Sequence, residues 1–197
     1  MRRSGRSRNR SRAAATFTRM LGDRRGIAAV EFALILPIMF MLLVGTVEFS
    51  LALTVDRRVS QVANSTADLI AQKKKITASE VAGIMKIIEH LMRPYDPSRL
   101  RVTVLNVIAN ISDASDTTVC WSYEHNGGAG SYAAGAEYAL PENIVEAGGS
   151  VIVAEVVYDY EPIIFKYFIK SAFTLRDTLY LKPRLSSYVE YNGQPCS

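Results

Sequence analysis

The chain has almost no histidine or cysteine. His90 and His125 stand far apart, and Cys120 and Cys196 make up the whole cysteine complement. No ligand set with metal-site spacing can be assembled from them, so neither a metal nor a cofactor is expected. A nucleophile setting is lacking too. No G-x-S-x-G elbow occurs, and His125 stands in the Gly-rich stretch "HNGGAGSY" with no recognisable nucleophile around it. Gly127 and Gly128 lack the helix start that a phosphate loop requires after its glycines. Asp159 and Glu161 in "YDYEP" alternate with tyrosines, so two carboxylates could share a strand face, yet that alternation is also the ordinary pattern of a strand's solvated side. No catalytic residue is assigned, and the protein is not expected to be an enzyme.

Positive charge is scarce outside the N-terminus. The formal net charge is +4, but residues 1–25 hold nine Arg against one Asp, whereas residues 26–197 hold 14 Lys and Arg against 18 Asp and Glu. The basicity therefore belongs to a Ser-interrupted tail, "MRRSGRSRNRSR". A nucleic-acid surface would need basic residues on a folded face with aromatics among them, so no nucleic-acid partner is expected. Behind the tail all charge becomes rare: between Ile27 and Val55 only Glu31 and Glu48 are charged. As a helix, Ile27 to Val47 is about 31 Å long, enough to span the core of a lipid bilayer.

The flanking arginines orient that span with the N-terminus cytoplasmic and everything after Val55 outside. The run exceeds the apolar region of a signal peptide, contains Pro37 and Glu31, and lacks a convincing small-x-small cleavage site at its end, so it reads as a retained anchor. No second apolar segment of membrane length follows. In a bacterium the outside is the oxidising periplasm, where Cys120 and Cys196 are expected to pair, two free thiols being the alternative.

The rest of the chain reads as an α+β fold. A basic cytoplasmic leader (1–26) precedes a transmembrane helix (27–55), a helical extension (56–75) and an exported domain (76–197). In the extension, Val55, Val59, Val62, Thr66 and Leu69 recur at steps of four and three, a stripe that asks either for a partner helix or for a face of the chain's own domain. Lys73 to Lys75 read as a solvated stop. Thr77 and Glu80 stand at capping-box spacing, and Val81, Ile84, Met85, Ile88, Leu91 and Met92 then form one face of a second helix that ends before Pro94. Period-two patterning follows in "LRVTVLNVIA", "TTVCWSYE" and "SVIVAEVVYDYEP", and "AFTLRDTLYLKPRLSSYVEYN" reads as one or two more strands broken at Pro183. These make an antiparallel sheet of about four strands with helix on one side, and the polar stretch 125–150 reads as an excursion.

Glu31 is the residue that this organisation leaves unexplained. A carboxylate one turn inside a span is expensive in lipid and is a functional candidate for that reason. If the chain were cut after Gly26, Ile27 would become the N-terminus and its ammonium would stand four residues from Glu31. The segment "RRGIAAVEFALILP" resembles the processing site of type IV pilin-like proteins, with Gly26 matching the cleavage glycine, Glu31 the glutamate fifth in the mature chain, and Phe32 standing where the Flp-type pattern usually has Tyr. Together with "VCWSYEHNG", "ALPENIVEAGGSVIVAEVVYDYEP" and "PRLSSYVEY" followed by Cys196, it is similar to the TadE/TadG-like pilus assembly proteins of the tight adherence (Tad) system. The exported part is too short for the von Willebrand-like domain of TadG relatives, so the resemblance implies a TadE-like minor pseudopilin or assembly factor. It further implies a bacterial inner-membrane location with a periplasmic domain. The implied partners are prepilin peptidase, other pilin or pseudopilin subunits and the Tad inner-membrane assembly platform, besides the lipid bilayer. The alternative is an unprocessed single-span scaffold whose periplasmic domain binds assembly components.

Overall fold

A computed structural model of the chain describes residues 24–164 and 173–196. Residues 1–23 of the expected leader lie outside the described residues. The chain divides into two units, one ending at Val47 and the other starting at Glu48.

Helix α1 spans Arg24–Ala71 and continues through Pro37. In the first unit its surface is apolar on every side: Ile27, Phe32, Leu34, Met39, Phe40 and Leu43 are all exposed. No residue of its most apolar window is buried, and the helix is long and apolar enough to cross a membrane. A helix that exposes apolar side chains all round is suited to lipid, since in water it would present this whole surface.

The second unit is an α+β domain. There α1 buries Val55, Val59, Val62, Ala63, Thr66, Ala67 and Ile70. These pack with Val81, Met85, Ile88 and Met92 of α2 (Ala78–Leu91 and its cap) onto one face of a sheet. The stripe thus finds its partner in the chain's own domain, and Leu69 is only half-buried at its margin. The helix stops at Ala71, short of the expected end at residue 75, because the chain is needed as a strand: β1 (Lys75–Ile76) pairs in parallel with β6 (Glu190–Tyr191). Lys75 remains solvated and ion-pairs with Glu190 at 2.7 Å. Helix α2 begins at the expected capping box, in which the Thr77 hydroxyl accepts the Glu80 N–H and the Glu80 carboxylate accepts the Thr77 N–H at 2.8 Å.

The main sheet has the order β3-β2-β4-β5 and is antiparallel throughout, with β2 Leu100–Ala109, β3 Thr117–His125, β4 Ser150–Tyr160 and β5 Phe173–Leu181. Leu100, Val102, Val104, Ile152, Ala154, Val156 and Tyr158 face the helices. Leu105, Val107, Val119, Val151 and Val153 face the other way, against Tyr132, Tyr138, Leu140 and Ile144. The stretch expected as an excursion is therefore a cover for the sheet's second face, which explains why β2 and β4 are apolar almost without alternation. Gly128 makes that cover possible: its φ is +68°, and a Cβ there would meet the Thr103 hydroxyl at 2.7 Å. The same hydroxyl accepts the Ala129 and Gly130 N–H groups at 2.9 and 3.1 Å.

Candidate functional site

The segment at the start of α1 is presented without cover. Gly26, Ile27, Glu31 and Phe32 are all exposed, and a Cβ added at Gly26 would meet nothing. Neither crowding nor a left-handed backbone requires glycine there, although glycine within a helix costs about 1 kcal/mol relative to alanine. Glu31 makes no hydrogen bond or ion pair among the described residues. Its carboxylate stands on a helix surface otherwise built from Ile27, Val30, Phe32, Leu34 and Ile35, where an ionised group is costly in lipid unless it meets a cation.

Glu48, to which sequence reasoning assigns no role, behaves differently. It is 6% exposed. One carboxylate oxygen accepts the Ile163 N–H at 3.2 Å and the Tyr160 hydroxyl at 3.4 Å, and the other accepts the Ile164 N–H. Consecutive backbone N–H groups at a turn form a concave donor set that suits an anion. Burial, aided by the Glu48 carboxylate, pushes the Tyr160 hydroxyl up to about 12. The signal in the sequence was the second isolated carboxylate of the apolar run; its donors, from a turn more than a hundred residues away, could not be read from spacing.

The two cysteines are bridged, with Cα atoms 5.2 Å apart. Strand β3 brings Cys120 there through a bulge: Asn106 pairs with Trp121 and Val107 with Val119, so Cys120 is the extra residue. Cys120 and Trp121 consequently join the same side of the sheet. Trp121 stacks on Tyr191 at 4.9 Å and donates from Nε1 to the Val189 carbonyl at 2.7 Å.

The other chemical candidates are used in pairing. Asp159 meets Arg101 at 2.9 Å, Glu161 meets Arg99 at 2.9 Å, and the Thr174 hydroxyl donates to Asp159 at 3.0 Å. His125 closes β3 with its Nε2 2.8 Å from Glu89 of α2, while His90 is exposed. Among the described residues no group of three or more His, Cys, Asp or Glu is placed to hold a metal ion.

No curated protein and no solved structure matches the chain. A family model described as TadE-like protein matches residues 26–68. That range begins at the glycine of the basic–apolar border and runs through the exposed apolar helix into the buried stripe of α1, so residues 26–68 are similar to TadE-like proteins.

Proposed function

We propose that the protein is a membrane-anchored minor pseudopilin or assembly factor of a Tad (Flp-type) pilus, cut after Gly26 by prepilin peptidase and packed with other pilin or pseudopilin subunits through its apolar helix. The TadE-like domain supports a Tad pilus-associated protein. The carrying observation is its register, which starts at Gly26 and places Glu31 five residues further on, on an exposed apolar helix. In this reading the helix spans the bacterial inner membrane, the leader is cytoplasmic, and the domain stands in the periplasm beside the Tad assembly platform.

The chemistry is an exchange of charge partners. Hydrolysis of the Gly26–Ile27 bond removes the arginines and leaves an ammonium on Ile27. An isolated carboxylate in the span costs about 3 kcal/mol, and so does an isolated ammonium. Pairing Glu31 of one subunit with the Ile27 ammonium of a neighbour replaces both costs by one charge-assisted contact. The pair fixes register, and the apolar helix supplies the contact area.

Mass determination of the N-terminus in cells with active prepilin peptidase tests the proposal. A chain starting at Ile27 is expected. A chain retaining Met1 overturns processing and leaves the unprocessed scaffold. Glu31→Ala is expected to insert as well as the parent and to lose pilus assembly; unchanged piliation removes the role given to the carboxylate.

A further inference from the structure

The Cys120–Cys196 bridge is not sealed in the core. Both cysteines are half-buried, and Cys120 forms part of the wall of an open groove of about 300 Å³ with Trp121, Ser122, Ala134, Tyr191, Gln194 and Pro195. None of these side chains is charged, so an anionic nucleophile meets no like charge on the walls. The bulge that makes Cys120 the extra residue of β3 takes it out of the regular ladder, the usual means by which a strand re-aims one side chain. Cys196 is not part of that wall. Its sulfur meets Asn106 instead, whose Nδ2 donates to it at 3.8 Å and to the Val189 carbonyl at 3.3 Å.

Asn106 is fully buried, and its Oδ1 accepts no hydrogen bond among the described residues. A buried polar atom without a partner is costly and calls for a reason. The reduced state of the bridge supplies one. A disulfide sulfur has no proton to give, whereas a Cys196 thiol can donate to the Oδ1 of the amide whose Nδ2 it already meets. As a thiolate, Cys196 keeps the Nδ2 donor. The amide therefore serves the open bridge better than the closed one.

We infer that the bridge is a site of thiol–disulfide exchange with a fixed polarity: Cys120 is the sulfur attacked from the groove, Cys196 the leaving and resolving sulfur, and Asn106 its positioning residue. An incoming thiolate bonds to Cys120 Sγ, the Sγ–Sγ bond breaks, and its electron pair leaves on Cys196, which takes a proton from water. A second thiolate displaces Cys120 from the mixed disulfide, so the bridge gains two electrons and two protons while two thiols become one disulfide. In reverse, Cys196 resolves a mixed disulfide on Cys120 and fastens the end of the chain to β3. Two effects set the polarity. Attack requires access, which the groove gives to Cys120, and exchange is faster when the departing thiolate is stabilised, which the Asn106 N–H does at Cys196. This polarity holds whether or not the chain is cut after Gly26.

The full chain, solubilised in detergent with its bridge intact, is incubated with glutathione at neutral pH, quenched with acid and N-ethylmaleimide, and digested for mass mapping. Glutathione is expected on Cys120 and maleimide on Cys196, in about tenfold excess over the reverse pair. Glutathione on Cys196, or an even split, overturns the polarity. No adduct until urea unfolds the chain overturns the exchange site. Asn106→Leu keeps the volume and removes the amide, and is expected to slow opening of the bridge by about threefold or more. A variant that merely loosened the C-terminal segment would open faster, so unchanged or faster opening overturns the role of Asn106. Should Asn106→Leu fail to fold, the adduct map of the parent alone decides.

Discussion

Glu155 lies on the sheet face turned away from the helices and receives the hydroxyls of Tyr132 at 2.9 Å and Tyr138 at 2.7 Å. The two rings meet edge to face at 5.2 Å, so one carboxylate anchors the cover segment through both tyrosines. Burial first, then the hydrogen bond to Glu155, pushes the Tyr132 hydroxyl up to about 12 and that of Tyr138 further still. A raised folded-state value means that the contribution is complete below the ordinary tyrosine value of 10.0 and is lost as pH rises from there through about 12. Replacing both tyrosines by phenylalanine is expected to cost about 3 kcal/mol at neutral pH, two bonds to a charged acceptor. The difference between parent and variant should shrink from pH 10 upward, as read from thermal melts of the solubilised chain at a series of pH values. A difference that stays constant across that range would mean that the hydroxyls do not anchor the cover. This trio is not legible in the sequence, because tyrosines in an aperiodic Gly-rich stretch carry no face assignment until the sheet beneath them is known.

At the scale of elements, legibility followed periodicity. Helix α2 was readable to its cap since Thr77, Glu80 and the apolar face all agree, and β2 and β4 were readable because their apolar runs end at turn residues. Less was readable where small residues carry the packing: Ala63 and Ala67 are fully buried between α1 and its domain, yet alanine does not mark a stripe as valine does. The bulge at Cys120 and the short parallel pair β1–β6 were invisible for another reason, since register is a property of two strands and not of one. The α1 stripe now makes a definite prediction. Val59 is fully buried in the domain core, so Val59→Ala should lower the stability of the full chain by about 2 kcal/mol, measured as a shift in melting temperature. An unchanged melt accompanied by lost assembly would return the stripe to the partner-helix role that the sequence left open.

For the whole molecule, the C-terminal segment is the part that joins the most distant pieces of sequence. The Arg184 N–H donates to the Ala71 carbonyl at 2.9 Å where α1 ends, and the Arg184 side chain pairs with Asp68. β6 lies against β1, the Asn192 side chain accepts the Ala78 N–H at 2.9 Å, and Cys196 is bonded to Cys120. Beneath this segment Asn106 is fully buried and donates to the Val189 carbonyl at 3.3 Å; a buried amide in β2 makes sense with a chain crossing over it. The bridge has a sequence separation of 76 residues, and a loop of that length restricts the unfolded chain enough to contribute about 4 kcal/mol. Cys196→Ser is therefore expected to lower the melting temperature of the full chain and to slow its migration on a non-reducing gel to that of the reduced parent. Limited proteolysis should then cut first between residues 183 and 196, since β6 offers only two residues of pairing to hold the segment once the bond is gone. Identical mobility of parent and variant would show that the cysteines are not joined in the cell. Loss of the bridge with the segment still protected would mean instead that the Trp121–Tyr191 stack and the Ala71, Lys74 and Ile76 carbonyl bonds hold it unaided, and that oxidation after export secures a structure already formed.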